Sequence, residues 1–173
     1  MFIRIHNSDT THSEAAYSDC NRYRYKLKRT WDPDAPKVNF IMLNPSVADE
    51  IRNDPTVARC EARARALGYG AFCVTNIFAW RDTDPHKMRK ATHPIGPEND
   101  DTLVSVAEWA DTVVAAWGVH GEHRDRGPEV VHMLNEKGIP LHHLGLTRHG
   151  HPRHPLYLAY AEQPRQWQTR AAD

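Results

Sequence analysis

Four short apolar runs divide the chain, and each stops at a polar or turn-forming residue. They are residues 38–43 (Val-Asn-Phe-Ile-Met-Leu), 71–80 (Ala-Phe-Cys-Val-Thr-Asn-Ile-Phe-Ala-Trp), 111–118 (Asp-Thr-Val-Val-Ala-Ala-Trp-Gly) and 141–146 (Leu-His-His-Leu-Gly-Leu). Short apolar runs bounded by turn signals read as buried strands. Between the first two, Asp54 offers an N-cap and Pro55 a first helical position. They open an alanine- and arginine-rich helix that Gly68 and Gly70 stop. Asn99 or Asp100 caps a second helix running through Trp109, and residues 128–137 form a third, ended by Gly138. Strands alternating with helices predict one α/β domain over residues 1–173, a three-layer sandwich with a mainly parallel four-stranded central sheet.

The remaining segments are polar. Residues 2–5 (Phe-Ile-Arg-Ile) read as an edge strand, and residues 22–31 alternate basic with apolar side chains at period two. That alternation predicts a half-exposed strand with Arg22, Arg24, Lys26, Lys28 and Arg29 outward, either for phosphates and bases or as a charged, solvated edge. Arg59, Arg63 and Arg65 are expected to face solvent or phosphate. Residues 81–100 make a long polar loop, unusual in a compact domain unless functional. Residues 119–127 read as a loop holding His120, Glu122, His123, Arg124 and Arg126, and residues 159–173 as a helical or frayed tail.

Composition narrows the function classes. With 22 basic and 22 acidic residues the formal net charge is +0, which argues against coating nucleic acid by charge alone and leaves a locally basic cleft open. Cys20, Cys60 and Cys73 form no close pair and no metal spacing, and read as reduced, mostly packing thiols of a cytoplasmic protein. No apolar run approaches the roughly 20 residues that cross a bilayer, and no signal-peptide pattern opens the chain. The 12 histidines single out the histidine-rich end, because imidazole titrates near neutrality.

The chemistry gathers at the strand ends. The first run stops at Leu43-Asn44-Pro45-Ser46; Pro45 lacks an N–H and disfavours helix at Asn44, holding that side chain at a carboxyl edge where α/β sheets place ligands. Asn76 interrupts the second run, and a buried amide must be hydrogen-bonded, so it ties down the sheet or faces a ligand. The third run ends at Trp117-Gly118, and the fourth leads into His151-Pro152-Arg153-His154-Pro155-Leu156.

These four elements, in this order, resemble the uracil-DNA glycosylase superfamily. Leu43-Asn44-Pro45-Ser46 looks like the water-holding Gly-x-Asn-Pro form of mismatch-specific members, and Val74-Thr75-Asn76-Ile77 like the strand end with the base-reading Asn. Ala116-Trp117-Gly118 and residues 151–156 are similar to the Trp-Gly strand end and the His-Pro-Ser-Pro-Leu motif. The chain also looks like a bacterial and phage domain-of-unknown-function family with Asn-Pro-Ser, Asp-Pro-Thr and His-Pro-Leu-Tyr elements. The resemblance implies a uracil-DNA glycosylase-like fold. It implies water held by Asn44, with Asp49 and Asp54 as alternative carboxylates, although loop and cap duty is favoured for Asp54. Base reading falls to Asn76, with Leu43, Pro45, Ser46, Phe78, Trp117 and Gly118 lining the pocket. His151 or His154 stabilises the leaving base, and Leu156 is the wedge. Ser46 stands where the uracil branch carries a screening Tyr, so a bulky modified base is the expected substrate.

The expected function is hydrolysis of the N-glycosidic bond of a flipped, modified pyrimidine in foreign DNA, leaving an abasic site in anti-phage defence. Arg81, Arg124, Arg126 and Arg153 are the expected phosphate contacts. No cofactor, no membrane and a monomer are expected. A zinc site among His142, His143, His149, His151 and His154 is disfavoured, because no paired-Cys or His-Glu-x-x-His spacing is present. The alternatives are a non-catalytic nucleotide- or nucleic-acid-binding module and a hydrolase of free nucleosides.

Overall fold

The computed structural model describes residues 1–169, through which a single mixed sheet of eight strands runs. In chain order the strands are β1 (Phe2–Asn7), β2 (His12–Tyr17), β3 (Arg24–Thr30), β4 (Lys37–Met42), β5 (Ala71–Asn76), β6 (Thr112–Ala115), β7 (His142–His143) and β8 (Arg165–Gln166). They lie in the order β1-β2-β3-β5-β4-β6-β7-β8. Ladders β1/β2, β2/β3, β3/β5 and β7/β8 are antiparallel, whereas β5/β4, β4/β6 and β6/β7 are parallel. Antiparallel pairing therefore predominates, which overturns the expected mainly parallel four-stranded sheet and the uracil-DNA glycosylase-like architecture attached to it. β2 escaped detection because His-Ser-Glu-Ala-Ala-Tyr contains no apolar run. The fourth apolar run shrinks to the two residues of β7, since Gly145 at φ +127° turns the chain out of the sheet.

The apolar runs are continuous because successive side chains go to opposite, buried faces. Phe40, Phe72 and Val74 pack with Val57, Cys60 and Ala64 of helix α1 (Pro55–Ala66). Ile41, Val113 and Ala115 pack instead with Leu103 and Ala107 of a second helix (Asn99–Trp109) and with Val130 and Leu134 of a third (Arg126–Glu136). A short helix over Pro85–Lys90 interrupts the expected 81–100 loop, so these helices are α2 (Pro85–Lys90), α3 (Asn99–Trp109) and α4 (Arg126–Glu136). Residues 119–125 are 3₁₀-like rather than an open loop, with a kink where His123 and Arg124 leave helical backbone. Of the expected helical tail, residues 165 and 166 are strand β8, and residues 170–173 lie outside the described residues. Among the described residues no helix is long and apolar enough to cross a membrane.

Several arginines expected at the surface are buried. Arg24 donates to the Ala48 carbonyl (2.7 Å), and Arg29 to the carbonyls of Asp49 (2.8 Å), Glu50 (3.3 Å) and Arg52 (3.2 Å) and to Asn53 Oδ1 (2.7 Å). β3 therefore turns two of its cations inward, where they shape the 48–53 loop. Arg63 is likewise buried, binding the carbonyls of Ala159 (2.9 Å) and Glu162 (2.8 Å). A guanidinium's five donors can be satisfied by main-chain carbonyls without a carboxylate, which charge counting along the chain does not anticipate.

The same loop enters α1 through a true cap: Asp54 Oδ1 accepts from Val57 N at 2.8 Å. Asp54→Ala is expected to lower stability by about 1 kcal/mol, read as a shift in the denaturation midpoint with unchanged slope.

Candidate functional site

The carboxyl ends of β5, β4 and β6 lie side by side. Met42 is in register with Asn76 and Ile41 with Ala115. Pairing continues past the strands, with Ile77 N on Met42 O (2.9 Å), Phe78 N on Leu43 O (3.0 Å) and Ala116 N on Ile41 O (2.8 Å). Asn44, Asn76 and Trp117-Gly118 thus leave neighbouring strands at one edge.

Asn44 is half-buried and has a defined orientation. Its Nδ2 donates to the carbonyls of Asp82 (2.8 Å) and Pro45 (3.3 Å). Two carbonyl neighbours fix the nitrogen there, since an oxygen in its place would face oxygen. Oδ1 has no protein donor among the described residues, so the amide presents an acceptor. Asp82 N returns a bond to Pro45 O (3.0 Å), locking the two loops together.

Asn76 is 1% exposed, and its Oδ1 is buried without a partner. A buried unpaired acceptor costs about 1–3 kcal/mol, a cost that the fold also carries at Asn39 Oδ1 and Asn99 Oδ1. The Asn76 carbonyl, in contrast, accepts from Asn99 Nδ2 (2.8 Å). Leu43 and Phe78 are core residues, and Phe78 lies against the His123 ring with centroids 5.6 Å apart, so neither presents the face expected of a pocket wall.

The two rival histidines part company. His154 Nδ1 accepts from Leu156 N (3.2 Å) at the start of the 3₁₀ turn Pro155–Tyr157, which leaves Nε2 to carry the proton of the neutral ring. A Cβ on Gly118 would lie 3.9 Å from His154 Cβ, and Gly118 N donates to Pro152 O (2.8 Å). Gly118 itself sits at φ +71°, a backbone conformation that favours glycine. Burial pushes the His154 imidazole below its ordinary value, against the opposing pull of the Asp54 carboxylate. His151 instead faces Glu122, Nε2 to Oε2 3.9 Å, in a different cleft. That cleft, about 980 Å³, is the larger one and includes Trp117 and Trp167, but not Asn44, Asn76 or His154. Size and chemistry therefore disagree, and the oriented polar groups outweigh volume in locating the site. Trp117 is pinned there by glycine: a Cβ on Gly121 would come within 2.2 Å of its Cδ1.

Of the expected phosphate contacts, Arg126 is a correction. It is fully buried, donating to Ile77 O (2.8 Å) and Asp100 Oδ1 (2.5 Å), and cannot reach a phosphate. Arg124 is exposed and binds the carbonyls of Ala91 (3.0 Å) and Thr92 (3.1 Å), away from the strand ends. Arg153 is exposed with Nε on Leu146 O (3.2 Å), and Leu156 is half-buried. Only Arg81 borders Ser46, across a cavity of about 490 Å³.

Sequence reasoning missed Tyr17 and Glu50. Tyr17 OH donates to the buried Glu50 Oε2 (3.0 Å), and burial together with that carboxylate pushes the phenol up to about 12. Both carboxylates weighed as bases bind main chain: Asp49 Oδ1 accepts from Ile51 N (2.8 Å) and Arg52 N (2.7 Å), and Asp54 caps α1. Among the described residues no group of three or more His, Cys, Asp or Glu is placed to hold a metal ion. Cys60 and Cys73 are buried and Cys20 is exposed, all three free.

Burial lowers His120, His123, His143 and His154 below the usual imidazole value of 6.5. Such rings bind fewer protons folded than unfolded. Their contribution to stability is therefore full above pH about 6.5 and is lost as pH falls from there through the folded values. Thermal melts are expected to show a Tm that declines below pH about 6.5, and His154→Gln is expected to flatten part of that decline.

Over residues 24–156 the chain matches the family described as "Protein of unknown function (DUF1643)". No curated protein and no solved structure matches the chain.

Proposed function

We propose, for a chain that belongs to the DUF1643 family, a hydrolase of N-glycosidic bonds that acts on a flipped, modified pyrimidine nucleotide in DNA and leaves an abasic site. The reading rests on one observation: an oriented amide acceptor at Asn44 lies just past β4, and a neutral imidazole donor at His154 packs beside Gly118, just past the neighbouring β6. Water held at Asn44 Oδ1 adds its oxygen to the sugar C1′ as the C1′–N bond breaks, and the water's remaining proton passes to solvent. The bonding pair leaves with the base, whose developing negative charge accepts a hydrogen bond from His154 Nε2. The order of the four motifs, which resembles the uracil-DNA glycosylase superfamily, supports the reaction class, although the sheet departs from that expectation. Ser46, standing where the uracil branch of the resembling superfamily carries a screening Tyr, supports a base substituent larger than that of plain uracil, as found in hypermodified phage DNA and consistent with a role in defence.

A second reading, a nucleic-acid-binding module without turnover, is favoured by the main-chain bonds made by both Asp49 and Asp54, the two carboxylates weighed as bases. Incubation with unmodified, uracil-containing and hypermodified phage DNA separates the two. Alkali-labile sites on the hypermodified substrate are expected; none on any substrate would sink the enzymatic reading.

A further inference from the structure

The cavity of about 490 Å³ beside Ser46 carries two arginines, Arg22 and Arg81, together with Asn21, Asp82 and Thr83. Both guanidiniums are held by stacking. Arg81 lies 5.0 Å from the Tyr17 ring centroid and Arg22 5.4 Å from that of Trp80. Arg81 is further fixed through Nη1 to Asn21 Oδ1 (2.8 Å) and O (3.2 Å). Neither arginine forms an ion pair with a carboxylate among the described residues. The one acid on the rim, Asp82, already accepts from Asp84 N through Oδ1 (2.9 Å).

The three segments that form the rim are tied to one another by main chain. Arg81 N donates to Arg22 O (3.0 Å) and Asp82 N to Pro45 O (3.0 Å). Asn21 sits at φ +61°, a conformation that a non-glycine residue rarely adopts without surrounding constraint. The result is a rigid concavity with an excess of positive charge, planar forked donors and two hydroxyls. That donor set, converging from several sides, fits the tetrahedral oxygens of a phosphate better than a planar carboxylate.

We propose that this cavity is a phosphate subsite that receives a phosphodiester of the strand whose nucleotide enters the Asn44 site. The proposal rests on the reading of that site given above. Val47, which also lines the cavity, is 64% exposed and offers apolar contact beside the phosphate, where the sugar or base of a neighbouring nucleotide would lie. This favours a strand over a free ion. Arg22 and Arg81 act here as binding residues, and Ser46 and Thr83 supply hydroxyl donors.

The test uses the whole chain, a single-stranded 12-mer of thymidines, thymidine monophosphate and inorganic phosphate. Arginine Nε–H signals are followed by NMR, and 12-mer affinity by anisotropy over a salt series. Inorganic phosphate is expected to shift the Arg22 and Arg81 signals and not that of Arg124. Each of Arg22→Ala and Arg81→Ala is expected to reduce the slope of log affinity against log salt by about 0.7. Arg22→Lys and Arg81→Lys, which keep the charge and the fold, are expected to retain it. Shifts with phosphate and monophosphate but an unchanged 12-mer slope in both alanine variants would overturn the strand assignment. No shift with any probe would overturn the subsite altogether. A reduced slope in a protein that makes no alkali-labile sites would leave the subsite standing and remove the glycosidase reading, so the two failures are distinguishable.

Discussion

Arg126→Ala is expected to destabilise the protein by about 2–5 kcal/mol, the range found when a large buried side chain is truncated to Ala. Arg126 is fully buried at the start of α4, and its Nε bond to the Ile77 carbonyl joins that helix to the end of β5. Nη2 reaches Asp100 in the first turn of α3, and Nη1 lies 3.2 Å from Glu129 Oε2. The Glu129 contact has the distance of an ion pair without the angle of a hydrogen bond, since Nη1 has no hydrogen-bond partner. The Ile77 and Asp100 bonds therefore dominate. Asp100 and Glu129 are about half exposed and regain water when the arginine is lost. The cost comes instead from the void and from the weakened β5 end. The Ile77 carbonyl keeps only Asn99 Nδ2, at 3.2 Å. Arg126→Met, which fills the volume without the charge, is expected to recover part of the loss. Arg124→Ala, two positions away and exposed, is expected to change stability by less than about 0.5 kcal/mol. Urea denaturation of the three variants checks this. A loss under about 1 kcal/mol for Arg126→Ala would show that the guanidinium contributes no more than an ordinary surface charge.

That network also shows where sequence reading stops. The central apolar runs are readable because both of their faces are buried, and Val38, Phe40, Phe72 and Val74 announce themselves by composition. β2 and β3 do not. Ala15, Ala16 and Tyr17 bury small or polar-tipped side chains, and Arg24 and Arg29 reverse the rule that charge points outward. Their burial depends on carbonyls of the 48–53 loop, some 20 residues away in sequence, and no local pattern encodes that meeting. At the site, Asn44, Asn76 and Gly118 were readable because each breaks an apolar run. The separation of His151 from His154 was not, because it depends on the turn at Pro155, which orients the His154 ring, and on the cleft where His151 faces Glu122. Phe78, which the resemblance puts in the pocket wall, is instead a core residue lying against the His123 ring. Arg22 and Arg81 are 59 residues apart and meet only through their main-chain bond.

The other large effect belongs to the strand-end pair. Asn44→Ala is expected to lower turnover about 10²–10³-fold, as does loss of a positioned donor or acceptor in other hydrolytic sites. Affinity for the 12-mer is expected to stay within about threefold, because the contact is made to water rather than to the strand. His154→Ala is expected to cost a similar about 10²–10³-fold, since Nε2–H faces a charge that exists only as the base departs. His154→Gln retains an amide donor near the same place and is expected to restore part of the rate. His151→Ala is the internal control: its ring faces Glu122 across a separate cleft, so its turnover is expected to stay within about threefold of the parent. Single-turnover release of the modified base, measured beside 12-mer binding, decides between the readings. Equal losses for His151→Ala and His154→Ala would place the chemistry in the larger cleft beside Trp117. Undiminished release in Asn44→Ala would remove the amide from the mechanism and leave Asp54, beside His154, as the group to test next.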